Sequence, residues 1–388
     1  MTYKIDIYCP DNHIMYDIHT LEKKGVGGGI TSRVRIAHAL SKEGHQVTLF
    51  VNCPEERMID GVSYQHYSKF KGSSADIFIA SSSGGNVDLG ELSRYTIKVG
   101  CKILMIHGMV TPRNVSYDNF NFLYVLSNFI RDIVAHQQVI LPGQLFVSYR
   151  GIEEGYFKKN IRKKLDLHRL VYIGHPEKGL FAAISVLKIL RKTDQDFVLD
   201  VYGSHEMWGQ PKEKIPMGPG VLNHGLVGQR RLIREIQNIG FSINLQAIQE
   251  GFGLAVNESM RAGCIVLAST VGAYPEIIQH GYNGFLIPGS HIDPETHECA
   301  ARLINRLITY PEYLKYVRRN AMNSPISWET VAKTWAGHWD WHFRNAIAGS
   351  SPSTEITGEC ELCSGSLLML ADGLHCTQCG HYQKSYRF

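Results

Sequence analysis

The feature that most constrains the fold is a strand, a glycine-rich turn and a helix near the amino end. Lys4 to Cys9 reads as a strand, and the stretch to Val26 as a loop that is long for a doubly wound domain. Gly27-Gly28-Gly29 then opens a helix that ends at Gly44, with Val34, Ala37 and Leu40 sharing one apolar face. His45 to Phe50 is the next strand. The unit is βαβ, which requires a parallel sheet with a right-handed crossover. Glycines in such a turn serve close packing of helix on strand as readily as they serve a ligand, so the turn alone assigns no site. Asp76 to Ala80, Lys102 to Ile106, Tyr124 to Ser127 and Phe146 to Ser148 read as further strands of this sheet. The second of these runs into His107-Gly108, and the last into Arg150-Gly151-Ile152.

A second series begins at Leu170 to Gly174, followed by His175-Pro176-Glu177-Lys178-Gly179-Leu180 and a helix with Ile184, Leu187 and Leu190 on its apolar face. Val198 to Gly203, His224-Gly225 and Phe241 to Leu245 supply a second parallel sheet that leads into Glu250. There a Gly-Phe-Gly turn separates Glu250 from a helix starting at Leu254, and Glu258 lies about two helical turns on. Gly251 and Gly253 allow a ligand to approach the backbone, the first amides of the helix point outward, and two carboxylates can accept hydrogen bonds from hydroxyls. Sugar and ribose hydroxyls meet that demand. Two acids placed favourably near a helix N-terminus would look the same. Downstream follow a buried strand, Gly263 to Ser269, then Gly272-Ala273-Tyr274-Pro275-Glu276 and Gly281-Tyr282-Asn283-Gly284-Phe285-Leu286.

The run from Glu250 to Leu286 resembles the donor-site signature of the retaining GT-B glycosyltransferases (glycosyl transferases group 1, family 4-like). In that signature, E-x7-E precedes G-x-P-V-[IV]-A-[ST], a G-x-x-P-E turn and an N-G-x-L strand. The resemblance covers residues 1 to about 345. It implies two Rossmann-like doubly wound α/β domains facing a cleft, and a nucleoside-diphosphate sugar of UDP or GDP type as donor. It further implies Glu258 on the donor ribose, Glu250 with the backbone of Phe252, Gly253 and Leu254 on the sugar, and Lys178 on the diphosphate. Gly28 and Gly29 would give the phosphates close backbone approach, and His107 would orient the sugar. On its own, His107 reads as a structural histidine. Two positions depart from the family pattern: the Arg that often precedes K-G-L is absent, with His175 as the nearest candidate, and the Asn of the N-G-[VI] turn is Arg150. With Lys178 and helix amides on the phosphates, no catalytic metal is expected.

The length of 388 residues suits two domains and a small appendage. The expected division is an acceptor domain over 1–150, a donor domain over 151–325, a helix over 326–347 crossing back to the first domain, a linker over 348–358 and a zinc ribbon over 359–388. The aromatic stripe Trp328, Val331, Ala332, Trp335, Trp339 and Phe343 suits that helix, and core packing accounts for it. A formal charge of +4 gives no argument for nucleic acid or membrane. The basic run from Lys158 to Arg169 reads as a solvated loop or helix face. No apolar run is long enough for a spanning helix, and with five scattered cysteines the reading is cytoplasmic.

The other four cysteines form Cys360-x2-Cys363, twelve residues, Cys376-x2-Cys379, around a hairpin from Leu367 to Cys376. Four thiolates at this spacing point to a closed, structural tetrahedral Zn site, the alternative being disulfides. Lys384 and Arg387 with Tyr382 and Tyr386 offer a contact to nucleic acid or protein, and plain stabilisation of the body explains the ribbon equally. The functional expectation is a retaining hexosyltransferase acting on an acceptor hydroxyl, on a small molecule or on a macromolecule such as nucleic acid, glycan or lipid-linked sugar. A GT-B sugar-nucleotide epimerase or hydrolase, or a non-catalytic sugar-nucleotide-binding or targeting protein, would use the same donor residues. Sugar, base and acceptor are not legible.

Overall fold

The computed structural model describes residues 1–82, 87–157, 165–211, 218–348 and 356–384. The chain forms two compact units, one of residues 1–18, 28–151 and 326–388, the other of residues 19–27 and 152–325.

The first unit contains β1 (Lys4–Tyr8), β2 (Gln46–Val51), β3 (Arg57–Ile59), β4 (Val62–His66), β5 (Gly72–Ser73), β6 (Ile77–Ser81), β7 (Thr96–Ile97), β8 (Cys101–Ile106), β9 (Phe122–Val125) and β10 (Leu145–Val147). Its main sheet has the order β10-β9-β8-β6-β1-β2-β4-β3, parallel except for the antiparallel β3–β4 hairpin. The expected loop up to Val26 is interrupted by α1 (Ile18–Lys23), a single turn and a half that buries Ile18 and Leu21. Such a piece is too short for its apolar period to be read against the polar residues around it. Helix α2 (Gly28–Lys42) opens at the expected glycines and buries Val34, Ala37 and Leu40. Helix α3 (Asn128–Gln137) is capped by Ser127, whose side chain accepts from the Ile130 amide at 3.1 Å.

The second unit carries β11 (Asp166–Ile173), β12 (Val198–Tyr202), β13 (Val221–Gly225), β14 (Ile239–Asn244), β15 (Ile265–Ser269) and β16 (Phe285–Ile287). All pairings are parallel, in the order β13-β12-β11-β14-β15-β16. Its helices are α4 (Pro176–Leu190), α5 (Gln229–Ile236), α6 (Leu254–Ala262), α7 (Tyr274–Ile277), α8 (Pro294–Thr309) and α9 (Pro311–Asn323). Arg169 corrects the expected solvated loop or helix face: it lies in β11, and its Nε donates to buried Asp200 at 2.8 Å. The cations from Lys158 to Lys164 lie outside the described residues.

The parallel strands reverse their chain order between β1 and β6 in the first unit and between β11 and β14 in the second. Crevices beyond the carboxyl ends of strands at such switch points are where open α/β sheets bind ligands.

Helix α10 (Trp328–Ala348) returns to the first unit and buries Trp328, Trp335 and Trp339. Trp335 meets Tyr124 edge-on at 5.1 Å, and its Nε1 donates to Ser148 Oγ at 2.7 Å. The tail then forms β17 (Ile356–Glu359), β18 (Ser366–Met369), β19 (Gly373–Cys376) and β20 (Tyr382–Lys384), an antiparallel sheet in sequential order. This tail is packed on the edge of the first unit's sheet. His375 stacks on Phe146 of β10 at 4.6 Å, Tyr382 meets Tyr149 with tilted rings at 4.4 Å, and the Gly143 amide donates to Gln378 O at 2.7 Å. Asn128 bonds Tyr382 twice through its side-chain amide, at 3.0 Å each. The tail thus lies against β10, the edge strand of that sheet, without joining it as a further strand.

Candidate donor site and metal centre

In the second unit, Lys178 and Glu250 flank the switch point. Lys178 lies in the first turn of α4, just beyond β11, and Glu250 in the turn beyond β14. Seventy-two residues apart in sequence, they form an ion pair of 2.7 Å. Both are about four-fifths buried, which keeps water from screening the charges fully.

The turn that carries Lys178 is fixed from three sides. His175 caps α4, its Nδ1 accepting from the Glu177 amide at 3.3 Å, and Pro176 starts the helix where no amide donor is needed. Tyr172 at the end of β11 splints the turn, donating its hydroxyl to His175 O at 2.6 Å and accepting from the Gly179 amide at 3.1 Å. Gly179 lets the helix sit against the end of β14: a Cβ there would fall 2.0 Å from Leu245 O. We expect Gly179→Ala to lower stability by about 1–3 kcal/mol, because the opposing atom is backbone and must move. Urea unfolding monitored by tryptophan fluorescence measures this. His175 is buried under Trp208, ring on ring at 3.6 Å, and burial holds it below the ordinary histidine range. It is therefore neutral at pH 7 and supplies no positive charge in place of the absent Arg.

The Glu250 turn is held by the one that follows β15. The Ala273 amide donates to Glu250 O at 2.8 Å, and a Cβ on Gly272, which has φ +56°, would lie 2.3 Å from that oxygen. Gly253 caps α6 with φ +102°, and a Cβ there would lie 2.7 Å from the Tyr274 ring, which closes the position to larger residues. Phe252 is buried in the turn, and Leu254 begins the helix. Glu258, one turn into α6 and buried, accepts from the Gln229 side chain of α5. Gln229 and Tyr172 are not legible as site residues from the sequence, since a lone Gln at the start of an amphipathic helix and a Tyr within a strand carry no pattern of their own.

The first unit holds the other predicted residues. Gly28 and Gly29 form the N-terminus of α2. His107 follows β8 and is buried, and its amide donates to Ser82 Oγ at 2.8 Å. Burial first, then the charges of Arg150 and Arg33, hold its ring well below the ordinary value, so it is neutral at pH 7.

At the tail, the Sγ atoms of Cys360, Cys363, Cys376 and Cys379 all lie within 4.8 Å of one another. Cys360 to Cys379 is 3.8 Å and Cys363 to Cys376 is 3.6 Å. A tetrahedral ion with metal–sulfur bonds of about 2.3 Å sets its sulfurs about 3.8 Å apart, whereas a disulfide needs about 2.05 Å. The four residues therefore fit a closed metal site. Tyr382, expected to be free for a polymer, is buried, with its hydroxyl on Asp372 O at 2.9 Å. Tyr386 and Arg387 lie outside the described residues. Among the described residues no helix is long and apolar enough to cross a membrane.

Residues 156–324 match the family model "Glycosyl transferases group 1". An uncharacterized glycosyltransferase of Methanocaldococcus jannaschii is 24% identical over 203 residues, which is 50% of this chain and 50% of that protein. The match thus spans about half the length of that relative. Sucrose-phosphate synthase from Thermosynechococcus elongatus has a similar structure, with a TM-score of 0.66 at 16% identity, covering 89% of this chain and all of that one. HepE from Anabaena, solved with UDP and glucose, gives a TM-score of 0.58 at 15% identity over 87% of this chain and 99% of its own. Residues 156–324, the stretch that carries Lys178, Glu250 and Glu258, thus match the group 1 model, and the chain has the α/β GT-B fold of these structures.

Proposed function

We propose that the protein is a retaining glycosyltransferase that moves a sugar from a nucleoside-diphosphate donor to an acceptor hydroxyl. The observation that carries this is the Lys178–Glu250 pair at the switch point of a domain that matches the family model. An ammonium held by a carboxylate can turn to a diphosphate when one arrives, leaving Glu250 to accept from sugar hydroxyls. Glu258, held by Gln229, takes the ribose hydroxyls, and the backbone from Phe252 to Leu254 lines the sugar. Lys178 and the amides of α4 stabilise the charge that develops on the departing phosphate. That oxygen takes the acceptor's proton on the same face of the sugar, so no carboxylate nucleophile is needed. His107, Gly28 and Gly29 of the first unit keep the roles that the resemblance gives them, and a neutral His107 is in the correct form to hydrogen-bond a sugar.

The four tail cysteines hold zinc with a structural role, as their closed arrangement and their packing against β10 support. The expected result for catalysis is release of nucleoside diphosphate that depends on an acceptor, with the donor's anomeric configuration kept in the product. NMR of the product checks this. Inversion, or release of nucleotide at the same rate without acceptor, contradicts the assignment and points to a different mechanism or to hydrolysis.

A further inference from the structure

We propose that Arg150 and His107 form a binding site in the first unit for an oxyanion, a phosphate or carboxylate group carried by a substrate. Arg150 follows β10 and His107 follows β8, two strands with only β9 between them in a parallel sheet, so both residues stand at its carboxyl edge. The Arg150 guanidinium is buried, at 1% exposure. Its Nη1 donates to Ser148 O at 3.1 Å and Ser148 Oγ at 3.3 Å, and Ser148 is held in turn by Trp335. Its Nε and Nη2 are buried and have no hydrogen-bond partner among the described residues, and the same holds for Nε2 of His107. Nε and Nη2 together form the edge of a guanidinium that presents two parallel N–H bonds, the geometry that matches two oxygens of a carboxylate or phosphate.

A second buried arginine in the same unit shows what a structural role looks like. Arg33 donates through Nε to Ser81 Oγ at 3.2 Å, through Nη2 to Ser82 O at 3.0 Å, and pairs through Nη1 with buried Asp11 at 3.2 Å. Every edge of Arg33 is used and its charge is cancelled. Among the described residues Arg150 has neither a carboxylate nor a full set of acceptors, and burial alone moves it, down to about 9. With His107 neutral and Arg33 paired, the cluster carries one uncompensated positive charge and three unused polar atoms. Keeping such a group from water is costly unless an anion completes it. Arg150 stands where the family pattern has Asn, so the site is a property of this chain. It rests on the transferase reading only for the choice of substrate that carries the anion.

Calorimetric titration of the full-length protein with inorganic phosphate, and separately with UDP, tests this in wild type, Arg150→Met and Lys178→Ala. The phosphate Kd is expected to rise at least tenfold in Arg150→Met, and the UDP Kd at least tenfold in Lys178→Ala. A parallel rise in the UDP Kd of Arg150→Met assigns the anion to the donor's diphosphate, and an unchanged UDP Kd assigns it to an acidic acceptor; either supports the site. If Arg150→Met does not fold, Arg150→Lys, which keeps the charge and loses the parallel N–H pair, is read by the same criterion. Equal phosphate affinity in wild type and the Arg150 variant, or no phosphate binding by wild type at millimolar concentration, overturns the proposal. The phosphate titration needs no sugar transfer, so its failure and the failure of the transferase reading are separate results.

Discussion

Lys178→Ala is expected to lower kcat/KM by about 100- to 1000-fold, the range seen when one preorganised group facing developing oxyanion charge is removed. Two effects combine. The departing diphosphate loses its cation, because His175 is neutral and buried and cannot replace it. Glu250 loses its 2.7 Å partner and becomes a partly buried, unpaired carboxylate that repels the same phosphates. The fold should survive, since the turn is held by His175, Tyr172 and Gly179 rather than by the ammonium. Glu258→Ala should cost at least tenfold by the loss of a charged hydrogen-bond acceptor in α6. Steady-state kinetics beside thermal melting check both. Near-normal turnover in a variant with a normal melt removes that residue from the donor site.

Cys376→Ser is expected to release the metal and to lower the melting temperature of the protein by about 10 °C. In isolated zinc modules the metal supplies about 10–16 kcal/mol of folding free energy, and here the folded tail lies against an edge strand of the main unit. His375 on Phe146, Tyr382 on Tyr149 and Asn128 on the Tyr382 backbone all depend on the tail keeping its shape. A loss of about 4 kcal/mol in a unit of this size shifts its melt by about 8–16 °C. Elemental analysis should give one zinc per chain in wild type and none in the variant, and scanning fluorimetry should give the shift. Equal melting of metal-free and metal-bound protein would mean that the tail does not support the first unit. Truncation near Gly349 should then leave a soluble protein, whereas loss of a supporting tail makes the truncated protein aggregate through β10.

Much of this arrangement was legible in the sequence because the informative residues are glycines and charges at turns, where backbone geometry leaves few choices. Gly28 and Gly29 start α2, a Cβ at Gly253 or Gly272 would fall within 3 Å of a neighbouring atom, and Lys178 and Glu250 meet although 72 residues separate them. The four cysteines carry their spacing in the chain itself. What escaped detection has no local signature. Helix α1 is six residues long, and the β3–β4 hairpin has strands of three and five residues. Arg169 sits in a basic stretch yet enters a strand, because Asp200 on the neighbouring strand neutralises it, a pairing fixed by sheet register. The burial of Arg150 and the docking of the tail are likewise tertiary facts: GSSPST between α10 and β17 reads as linker and says nothing about where the tail comes to rest.

The most direct test of the central claim is binding of a panel of UDP- and GDP-sugars to wild type, Lys178→Ala and Glu258→Ala, measured by calorimetry. At least one sugar nucleotide is expected to bind wild type with a 1:1 stoichiometry, and each substitution to weaken it at least tenfold while leaving the melting temperature within a few degrees. Binding of no sugar nucleotide, or binding that both substitutions leave unchanged, would contradict it.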